Sequence, residues 1–400
     1  MISLSKEQEA AKDSTLDWYF GSKQELFTLG GYAGTGKTTL LGYIRQQLPR
    51  TIKVAFCCFT AKAGSVLKCK LNESLSIRQT DFCGTIHSLI YKPIIDEETE
   101  KIIGWERKEL TEVAYDLIVI DEASMVGELI YQDLASYGIP ILAVGDCFQL
   151  PPIEGSLNLM DKPDIKLEKI HRQAEGNPII RLSMDVRECG YIREGSYGGK
   201  AAKVIGTKHP LVKQFIGNTK SFSNTMILCA FNKTRVSIND GIRKTFGRVG
   251  RPSSGERVIC LRNNYNAQDC VIVNGAQGFI TNIADANSHW EVQVKLDNEE
   301  GYYFGAIDKD TFGNDQPEFT TRKVQRFRLI PHLSVPEIEV GGLDYFDYGY
   351  CLSVHKSQGS QAERVMVIEE RSSAWSPEYF SRWLYTAITR ASDQLLIVRK

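Results

Sequence analysis

The sequence predicts an α/β protein with two domains, each a parallel sheet covered by helices. A small β-hairpin is inserted in the first domain and a small β-barrel in the second. The length of 400 residues exceeds what one hydrophobic core usually supports. Short apolar runs alternate with helical segments in both halves of the chain, which is typical of buried parallel strands. Between them lies a region of short β-rich segments separated by Asn and Gly turns.

The first domain is assigned to residues 1–84 and 111–163. Its apolar runs predict strands that are buried on both faces. These runs are Leu26–Leu29, Lys53–Phe59, Leu117–Ile120 and Ile139–Val144. The pattern breaks at residues 85–110, where two isoleucine pairs flank the acidic stretch Asp96–Lys101 and predict the hairpin.

The second domain is assigned to residues 164–255 and 345–400, with the barrel at 256–344. Its α/β pattern begins near Lys166 and includes a predicted strand at Met226–Phe231, followed by a helical pattern at Lys233–Phe246. After the barrel the α/β pattern resumes with three apolar runs and a helical segment near Glu378–Arg390. The three runs are Tyr350–Val354, Val365–Ile368 and Leu395–Val398.

The composition excludes several classes of protein. The chain has 42% hydrophobic and 24% charged residues, and no apolar run approaches the roughly 18 residues that span a bilayer, so we expect no membrane association. The start lacks the apolar core of a secretion signal, which favours a cytoplasmic location.

The 10 scattered cysteines, without a Cys-x-x-Cys pair, disfavour zinc and disulfides. A net charge of -1 means that any nucleic-acid contact must come from a local groove.

A phosphate-binding loop is the strongest local motif. Residues 31–38 fit G-x-x-x-x-G-K-[ST] between a predicted strand and a predicted helix, which is the context that a P-loop requires. Backbone amides would face the phosphates of ATP, Lys37 would offset their charge, and the Thr38 hydroxyl would hold Mg²⁺. The predicted nucleotide-binding residues are Gly31, Ala33, Gly34, Thr35, Gly36, Lys37, Thr38 and Thr39.

Two further segments follow predicted strands of the first domain. Asp121 and Glu122 come directly after one strand, at the edge where ligands of open α/β sheets collect. Asp121 is the predicted Mg²⁺ ligand, and Glu122 is the predicted base for the attacking water. Gln149 follows the next strand and is a candidate γ-phosphate sensor, because its amide both donates and accepts hydrogen bonds.

These motifs and several others resemble those of the superfamily 1 helicases, in the branch that contains RecD and the phage Dda helicase. The resemblance spans nearly the whole chain. It rests most on residues 354–360 (VHKSQGS) and 385–391 (YTAITRA), which resemble the last two helicase motifs. Weaker matches lie at residues 5–8 (SKEQ), 60–63 (TAKA), 84–88 (GTIHS) and 170–173 (IHRQ).

The resemblance implies two RecA-like motor domains that clamp ATP between them. Gln8 would read adenine, while Arg172 and Arg390 would reach the phosphates from the second domain. It also implies that the hairpin is a strand-separating pin and that the barrel is SH3-like and helps enclose the DNA. A solvated surface charge for either arginine and a purely structural hairpin or barrel are the alternatives. The DNA-binding residues that it implies are Thr60, Lys62, Thr85, His87, Asn232, Ser353, His355 and Lys356.

The implied activity is unwinding of DNA by an ATP- and Mg²⁺-dependent motor that moves 5′ to 3′ on single strands, in replication, recombination or repair. Single-stranded DNA and single-strand/duplex junctions are the expected partners. A single-strand-binding protein or replisome components are further candidates. We expect a monomer in the cytoplasm of a bacterial or phage-infected cell. Three alternatives stay open at this point: a nucleotide kinase, a motor subunit of a larger recombination complex, and an RNA-directed helicase.

Overall fold

The structure of the chain is a computed structural model. It describes residues 4–21, 24–95, 102–152, 157–170, 176–217, 222–262, 264, 272, 274–297, 301–319, 323–328 and 337–400. Among these residues, no helix has the length and apolar character needed to cross a bilayer.

The strands of the described chain are numbered in sequence order. They are β1 (Leu26–Gly31), β2 (Val54–Cys58), β3 (Phe82–Thr85), β4 (Tyr91–Ile95), β5 (Ile102–Arg107), β6 (Leu117–Asp121), β7 (Ile141–Gly145), β8 (Ile165–Leu167), β9 (Gly195–Tyr197), β10 (Ala201–Ile205), β11 (Thr225–Cys229), β12 (Arg257–Cys260), β13 (Gln277–Asp285), β14 (Trp290–Leu296), β15 (Tyr303–Ile307), β16 (Lys323–Arg328), β17 (Glu337–Gly342), β18 (Phe346–Tyr348), β19 (Cys351–Ser353), β20 (Ala362–Glu369) and β21 (Ala391–Arg399).

The helices are numbered in the same way. They are α1 (Lys6–Gly21), α2 (Lys37–Gln47), α3 (Ala61–Glu73), α4 (Ile86–Ile90), α5 (Glu128–Ala135), α6 (Pro178–Cys189), α7 (Pro210–Gly217), α8 (Asn232–Thr245) and α9 (Pro377–Ile388). Short 3₁₀ turns occur at Ala123–Met125 and His355–Ser357.

The first compact unit comprises Met1–Arg193, Gln358–Ser360 and Ala374–Thr389. Its six-stranded sheet has the order β3-β2-β6-β7-β1-β8, and every described pairing in it is parallel. Apolar side chains fill both faces, with Leu29 and Phe56 in one cluster and Ile118 and Ala143 in the other. The predicted parallel sheet covered by helices is confirmed.

The first unit does not end at residue 163 as predicted. Lys166 in β8 pairs with Gly30 in β1, so the chain completes the first sheet after the expected boundary. Helix α9 also belongs to this unit, although its sequence lies in the segment assigned to the second domain. A three-residue strand is too short to show periodicity, which is why the sequence missed it.

An antiparallel pair of strands, β4 and β5, lies where the hairpin was predicted. Its tip, Asp96–Lys101, falls outside the described residues.

The second compact unit comprises Glu194–Ser357, Gln361–Ser373 and Arg390–Lys400. Its six-stranded sheet has the order β19-β11-β20-β21-β10-β9. The pairings are parallel except for the edge strand β9, which runs antiparallel to β10.

The insertion in the second unit is a five-stranded antiparallel sheet in the order β15-β14-β13-β12-β18. Alternate side chains of β14 are buried, with Val292 and Val294 packed in one apolar cluster. Strands β16 and β17 form a separate antiparallel pair. The insertion is therefore β-rich, as the sequence indicated, and the SH3-like comparison stays a prediction.

Candidate nucleotide-binding site and nucleic-acid interface

The loop between β1 and α2 has the backbone of a phosphate cradle. Gly34 and Gly36 have φ values of 82° and 79°, in the left-handed region that favours glycine. A Cβ atom on Gly31 would lie 2.8 Å from Thr35 Oγ1, so the chain can approach itself here only without a side chain. No side chain caps the start of α2 among the described residues. Its first amides are therefore available to bind an anion.

Lys37 folds back over this loop. Its Nζ donates to the carbonyl oxygens of Gly31 at 2.9 Å and Tyr32 at 3.0 Å. The Thr35 hydroxyl donates to the same Tyr32 oxygen at 2.8 Å. The ammonium group is thus held at the loop, where the sequence predicts that it would offset phosphate charge.

Gln8 braces the loop from α1. The side chain is only 2% exposed, and its Nε2 donates to Thr35 O at 3.0 Å. Its Oε1 accepts from Ser5 N at 2.9 Å. The structure therefore brings Gln8 to the predicted nucleotide loop through the backbone of Thr35, while its reading of adenine stays a prediction.

Asp121 and Glu122 lie at the carboxyl end of β6. Burial first, and then the neighbouring Glu122 charge, raises the pKa of Asp121 to about 6, while Lys37 opposes this shift. Glu122 has a φ of 57°, a strained conformation for a residue with a side chain. Such strain is characteristic of functional positions.

These residues fit a magnesium ion bound together with phosphates. Thr38 is half-buried in the first turn of α2, and Thr39 beside it is exposed. Asp121 is an acidic group that a cation would stabilise in its charged form. Among the described residues there is no cluster of three or more His, Cys, Asp or Glu side chains that could enclose a metal by itself. Mg²⁺ typically takes one or two carboxylates and completes its shell with water and substrate phosphates.

Gln149 lies in the turn after β7. It is 5% exposed, and its Oε1 has no hydrogen-bond partner among the described residues. The turn is shaped by Asp146, whose Oδ1 accepts from Phe148 N at 2.9 Å. A buried amide oxygen without a partner suits a group that receives a ligand or water.

Helix α9 holds this turn by hydrogen bonds that the sequence did not reveal. Tyr385 Oη donates to Asp146 Oδ2 at 2.7 Å and accepts from Ala33 N at 2.8 Å. Thr386 Oγ1 accepts from Leu150 N at 2.9 Å, and Arg382 Nη1 donates to Cys147 O at 3.1 Å. Only the position of Tyr385 and Thr386 inside the last motif-like segment, residues 385–391, could have drawn attention to them.

The two predicted phosphate-contacting arginines differ in what the structure shows. Arg390 follows Thr389, the C-cap of α9, and is 2% exposed. Arg172 falls outside the described residues. The structure therefore places one of the two, in a buried position at the junction of α9 and β21.

The predicted DNA-binding residues of the first unit gather at neighbouring strand ends. Thr60 caps α3 by accepting from Ala63 N at 3.3 Å, and Thr85 caps α4 by accepting from Ser88 N at 3.1 Å. Their strands, β2 and β3, pair in parallel, with Cys58 opposite Thr85. The side chain of Lys62 falls outside the described residues.

His87 completes this group in α4. Its ring contacts Phe59 with centroids 6.1 Å apart and Tyr91 with centroids 5.6 Å apart. Burial lowers the pKa of His87, so the ring is neutral at pH 7. It can donate a hydrogen bond to a phosphate, but it brings no charge to it.

A similar arrangement occurs in the second unit. Asn232 begins α8 after β11, and Ser353 ends the neighbouring strand β19, where it pairs with Cys229. Burial lowers the pKa of the half-buried His355 and also that of the Lys356 ammonium group, although the Lys356 side chain as a whole is exposed. The Ser353 hydroxyl accepts from Lys356 N at 3.4 Å. The predicted residues of this unit thus also lie together at strand ends.

Two family models match the chain. The AAA domain model matches residues 3–194, and the UvrD-like helicase C-terminal domain model matches residues 348–398. The chain is 27% identical over 415 residues to the ATP-dependent RecD2 DNA helicase of Deinococcus radiodurans, covering 98% of this chain. It is 30% identical over 245 residues to the ATP-dependent DNA helicase dda of Enterobacteria phage T4, covering 56% of this chain. The chain is thus similar to helicases of the RecD/Dda-like branch of superfamily 1.

The chain spans about half the length of these helicase relatives, 48% of the RecD2 protein and 53% of the dda protein. Among solved structures, it resembles the Pif1 helicase from Bacteroides in complex with ADP-AlF3 and ssDNA. That likeness has a TM-score of 0.56 at 17% identity and covers 99% of this chain and 92% of the other. It shows that the two proteins share a fold.

Proposed function

We propose that the chain is an ATP-dependent DNA helicase that translocates 5′ to 3′ on single-stranded DNA and unwinds duplex DNA. One observation supports this most. The Tyr385 hydroxyl joins the P-loop amide of Ala33 to Asp146, in the turn that bears Gln149. In the same turn, Leu150 O accepts from Gln358 Nε2 at 3.0 Å. The next residue, Gly359, approaches Thr60 so closely that a Cβ would lie 2.9 Å from Thr60 Oγ1. The predicted nucleotide-binding loop is thereby connected to Thr60, a predicted DNA-binding residue.

In this proposal the chain binds ATP phosphates with the amides at the start of α2 and with Lys37. Thr38 and Asp121 would hold Mg²⁺, which supplies charge neutralisation at the β- and γ-phosphate oxygens. Glu122 would orient the attacking water and accept a proton from it, and Gln149 would contact the γ-phosphate through its buried amide. The reaction is therefore hydrolysis, with ADP and phosphate as products.

Arg390, with Arg172 as its predicted companion, would stabilise the charge that develops on the γ-phosphate. Nucleotide binding would then favour closure of the two RecA-like domains, and hydrolysis would release them. An arginine in this role contributes about 10³- to 10⁵-fold to the rate in comparable enzymes. Arg390→Ala should therefore leave ATP binding largely intact and slow hydrolysis strongly. Equal loss of ATP binding in Arg390→Ala and Lys37→Ala would contradict this role.

Single-stranded DNA would lie along the strand-end residues of both units, which offer short hydroxyls, amides and neutral imidazoles to phosphate oxygens. The hairpin β4–β5 is proposed as the strand-separating pin, and the inserted sheet of the second unit as part of the enclosure around the strand. Replication, recombination or repair would be the setting. A single-strand-binding protein or replisome components would be the protein partners, and the working form would be a monomer.

A fork-unwinding assay tests activity, substrate and direction together. DNA forks with only a 5′ or only a 3′ tail are incubated with protein, ATP and Mg²⁺, and ATP hydrolysis is measured with single-stranded DNA or RNA as the stimulating strand. We expect unwinding from the 5′ tail and hydrolysis stimulated by DNA. No stimulation by saturating oligonucleotide would contradict the motor, stimulation by RNA alone would identify an RNA-directed helicase, and DNA-stimulated hydrolysis without unwinding would favour a subunit of a larger complex.

A further inference from the structure

Tyr385 connects two parts of the candidate ATPase site through one hydroxyl group. The side chain lies on α9 and is 1% exposed. Its oxygen accepts from the P-loop amide of Ala33 at 2.8 Å, and its proton is donated to Asp146 Oδ2 at 2.7 Å. The residues it joins are 352 and 239 positions away in sequence. This contact is therefore long-range and specific to the fold.

The protonation state of the phenol fixes the direction of both hydrogen bonds. Burial first, and then the Asp146 charge, raises the pKa of Tyr385 well above its usual value. The group therefore stays a neutral O–H that donates to the carboxylate and accepts from the amide. The ring stands edge-on to Phe148, with centroids 5.2 Å apart and planes at 83°, which limits movement of the hydroxyl.

Asp146 links the Tyr385 hydroxyl to the turn that bears Gln149. The carboxylate is 1% exposed, and its second oxygen accepts from Phe148 N at 2.9 Å, so it defines the turn that precedes Gln149. Leu150 is held on the other side, because its N–H donates to Thr386 Oγ1 at 2.9 Å. Gln149 thus lies between Asp146 and Leu150, which are both hydrogen-bonded to side chains of helix α9. Its own buried Oε1 has no hydrogen-bond partner among the described residues.

We propose that Tyr385 is a positioning residue for ATP hydrolysis, which sets the P-loop amide of Ala33 and the Gln149 turn at one fixed separation. This inference rests on the proposed function, since it assigns how the γ-phosphate sensor is aligned with the phosphate cradle. Positioning by a group behind the reacting residues typically contributes about 10- to 100-fold to activity. A merely structural Tyr385 would affect the stability of the packing around α9 and leave the turnover of the folded protein unchanged.

The test replaces Tyr385 by Phe, which removes the hydroxyl and keeps the ring beside Phe148. Tyr379→Phe is the matched control, since it removes a hydroxyl from the same helix, at a ring that contacts Trp375 with centroids 5.0 Å apart. Steady-state ATP hydrolysis is measured with saturating single-stranded DNA, together with DNA affinity and thermal unfolding. For Tyr385→Phe we expect kcat to fall about 10- to 100-fold, with little change in the KM for ATP or in DNA affinity. Tyr379→Phe should behave like the wild type.

A double-mutant cycle with Gln149→Ala shows whether Tyr385 acts through the turn. If it does, Tyr385→Phe will reduce kcat far less in the Gln149→Ala background than in the wild type. Losses that multiply independently would overturn the proposal, as would a wild-type kcat for Tyr385→Phe. Should Tyr385→Phe not fold, Asp146→Asn removes the acceptor charge while keeping the tyrosine. A wild-type kcat for Asp146→Asn would then overturn it.

The wild-type protein separates this inference from the proposed function. If single-stranded DNA fails to stimulate its ATP hydrolysis, the motor proposal falls, while the ratio of wild-type to Tyr385→Phe rates without DNA still decides the role of Tyr385. If the wild type hydrolyses no ATP under any of these conditions, both proposals are overturned.

Discussion

Each of the two six-stranded sheets has two acidic residues at the carboxyl end of its third strand, but these residues have different surroundings in the two sheets. In the order β3-β2-β6-β7-β1-β8 the third strand is β6, and in the order β19-β11-β20-β21-β10-β9 the third strand is β20. Strand β6 ends at Asp121 and is followed by Glu122, while β20 ends at Glu369 and is followed by Glu370. Both sheets therefore present two carboxylates in the same place.

The carboxylates of the second sheet are paired within the protein. Lys203 Nζ lies 2.5 Å from Glu369 Oε2. Glu370 accepts from Thr234 Oγ1 at 2.5 Å, from Lys400 Nζ at 2.6 Å and from Ala230 N at 3.1 Å. Both carboxylates of the second sheet are thus already paired with lysine side chains.

The first sheet leaves its carboxylates open. Within the described part of the chain, neither Asp121 nor Glu122 forms an ion pair, and Asp121 accepts only from Glu122 N at 3.0 Å. The fifth strand of the first sheet, β1, leads into the P-loop, whereas β10 in the same place leads to Gly206 and then α7. The proposed catalytic site therefore differs from the equivalent place in the second sheet because Asp121 and Glu122 have no cationic partner among the described residues, whereas Glu369 and Glu370 do.

The largest expected effect comes from Lys37, whose charge lowers the pKa of Asp121 at that open edge. Lys37→Ala should abolish ATP turnover because the phosphates lose their charge partner at the loop mouth. Lys203→Ala, the matched change beside Glu369, should instead lower the free energy of unfolding by about 3 kcal/mol, since a buried carboxylate loses its partner. ATP hydrolysis and urea unfolding of both variants provide the measurement. Retained turnover in Lys37→Ala would break the comparison.

The next effect contrasts the two acidic pairs directly. Glu122→Gln should slow hydrolysis by about 10²- to 10⁴-fold, because it removes the proposed base and keeps the shape. Glu370→Gln should leave the turnover of the folded protein intact and reduce stability by about 1–3 kcal/mol. Single-turnover hydrolysis and thermal unfolding distinguish them. A strong loss of turnover in Glu370→Gln at full folding would show that the second edge takes part in the chemistry.

The smallest effect concerns the strand-end residues His355 and Lys356. Burial lowers the pKa of His355, so it is neutral at pH 7 and releases no counterion when it contacts DNA. His355→Gln should therefore leave the dependence of log affinity on log salt unchanged. Lys356→Gln should reduce that slope by about 0.7 if the ammonium contacts one phosphate of a single strand. Titrations of a labelled oligonucleotide at several salt concentrations would show a reduced slope for His355→Gln if the ring were charged.

Much of the fold could be predicted because its strands are apolar runs with clear ends. Strands β2 and β6 were each placed within one or two residues, and the P-loop was identified from its spacing and flanking elements. The missed features depend on long-range contacts instead. Strand β8 has three residues and becomes part of the first sheet only by pairing with β1, and the Tyr385–Ala33 contact joins residues 352 positions apart. Local sequence contains no signal for either.

The left-handed backbone of Glu122 has a consequence for how the chain could change over generations. A glycine there would relieve a backbone cost of about 1 kcal/mol, so Glu122→Gly should make the fold more resistant to heat while it removes the proposed base. A selection that rewards thermal tolerance alone would therefore enrich inactive sequences at this position. If an evolving population keeps glutamate at this position, selection for ATP hydrolysis must outweigh the stability that glycine would add.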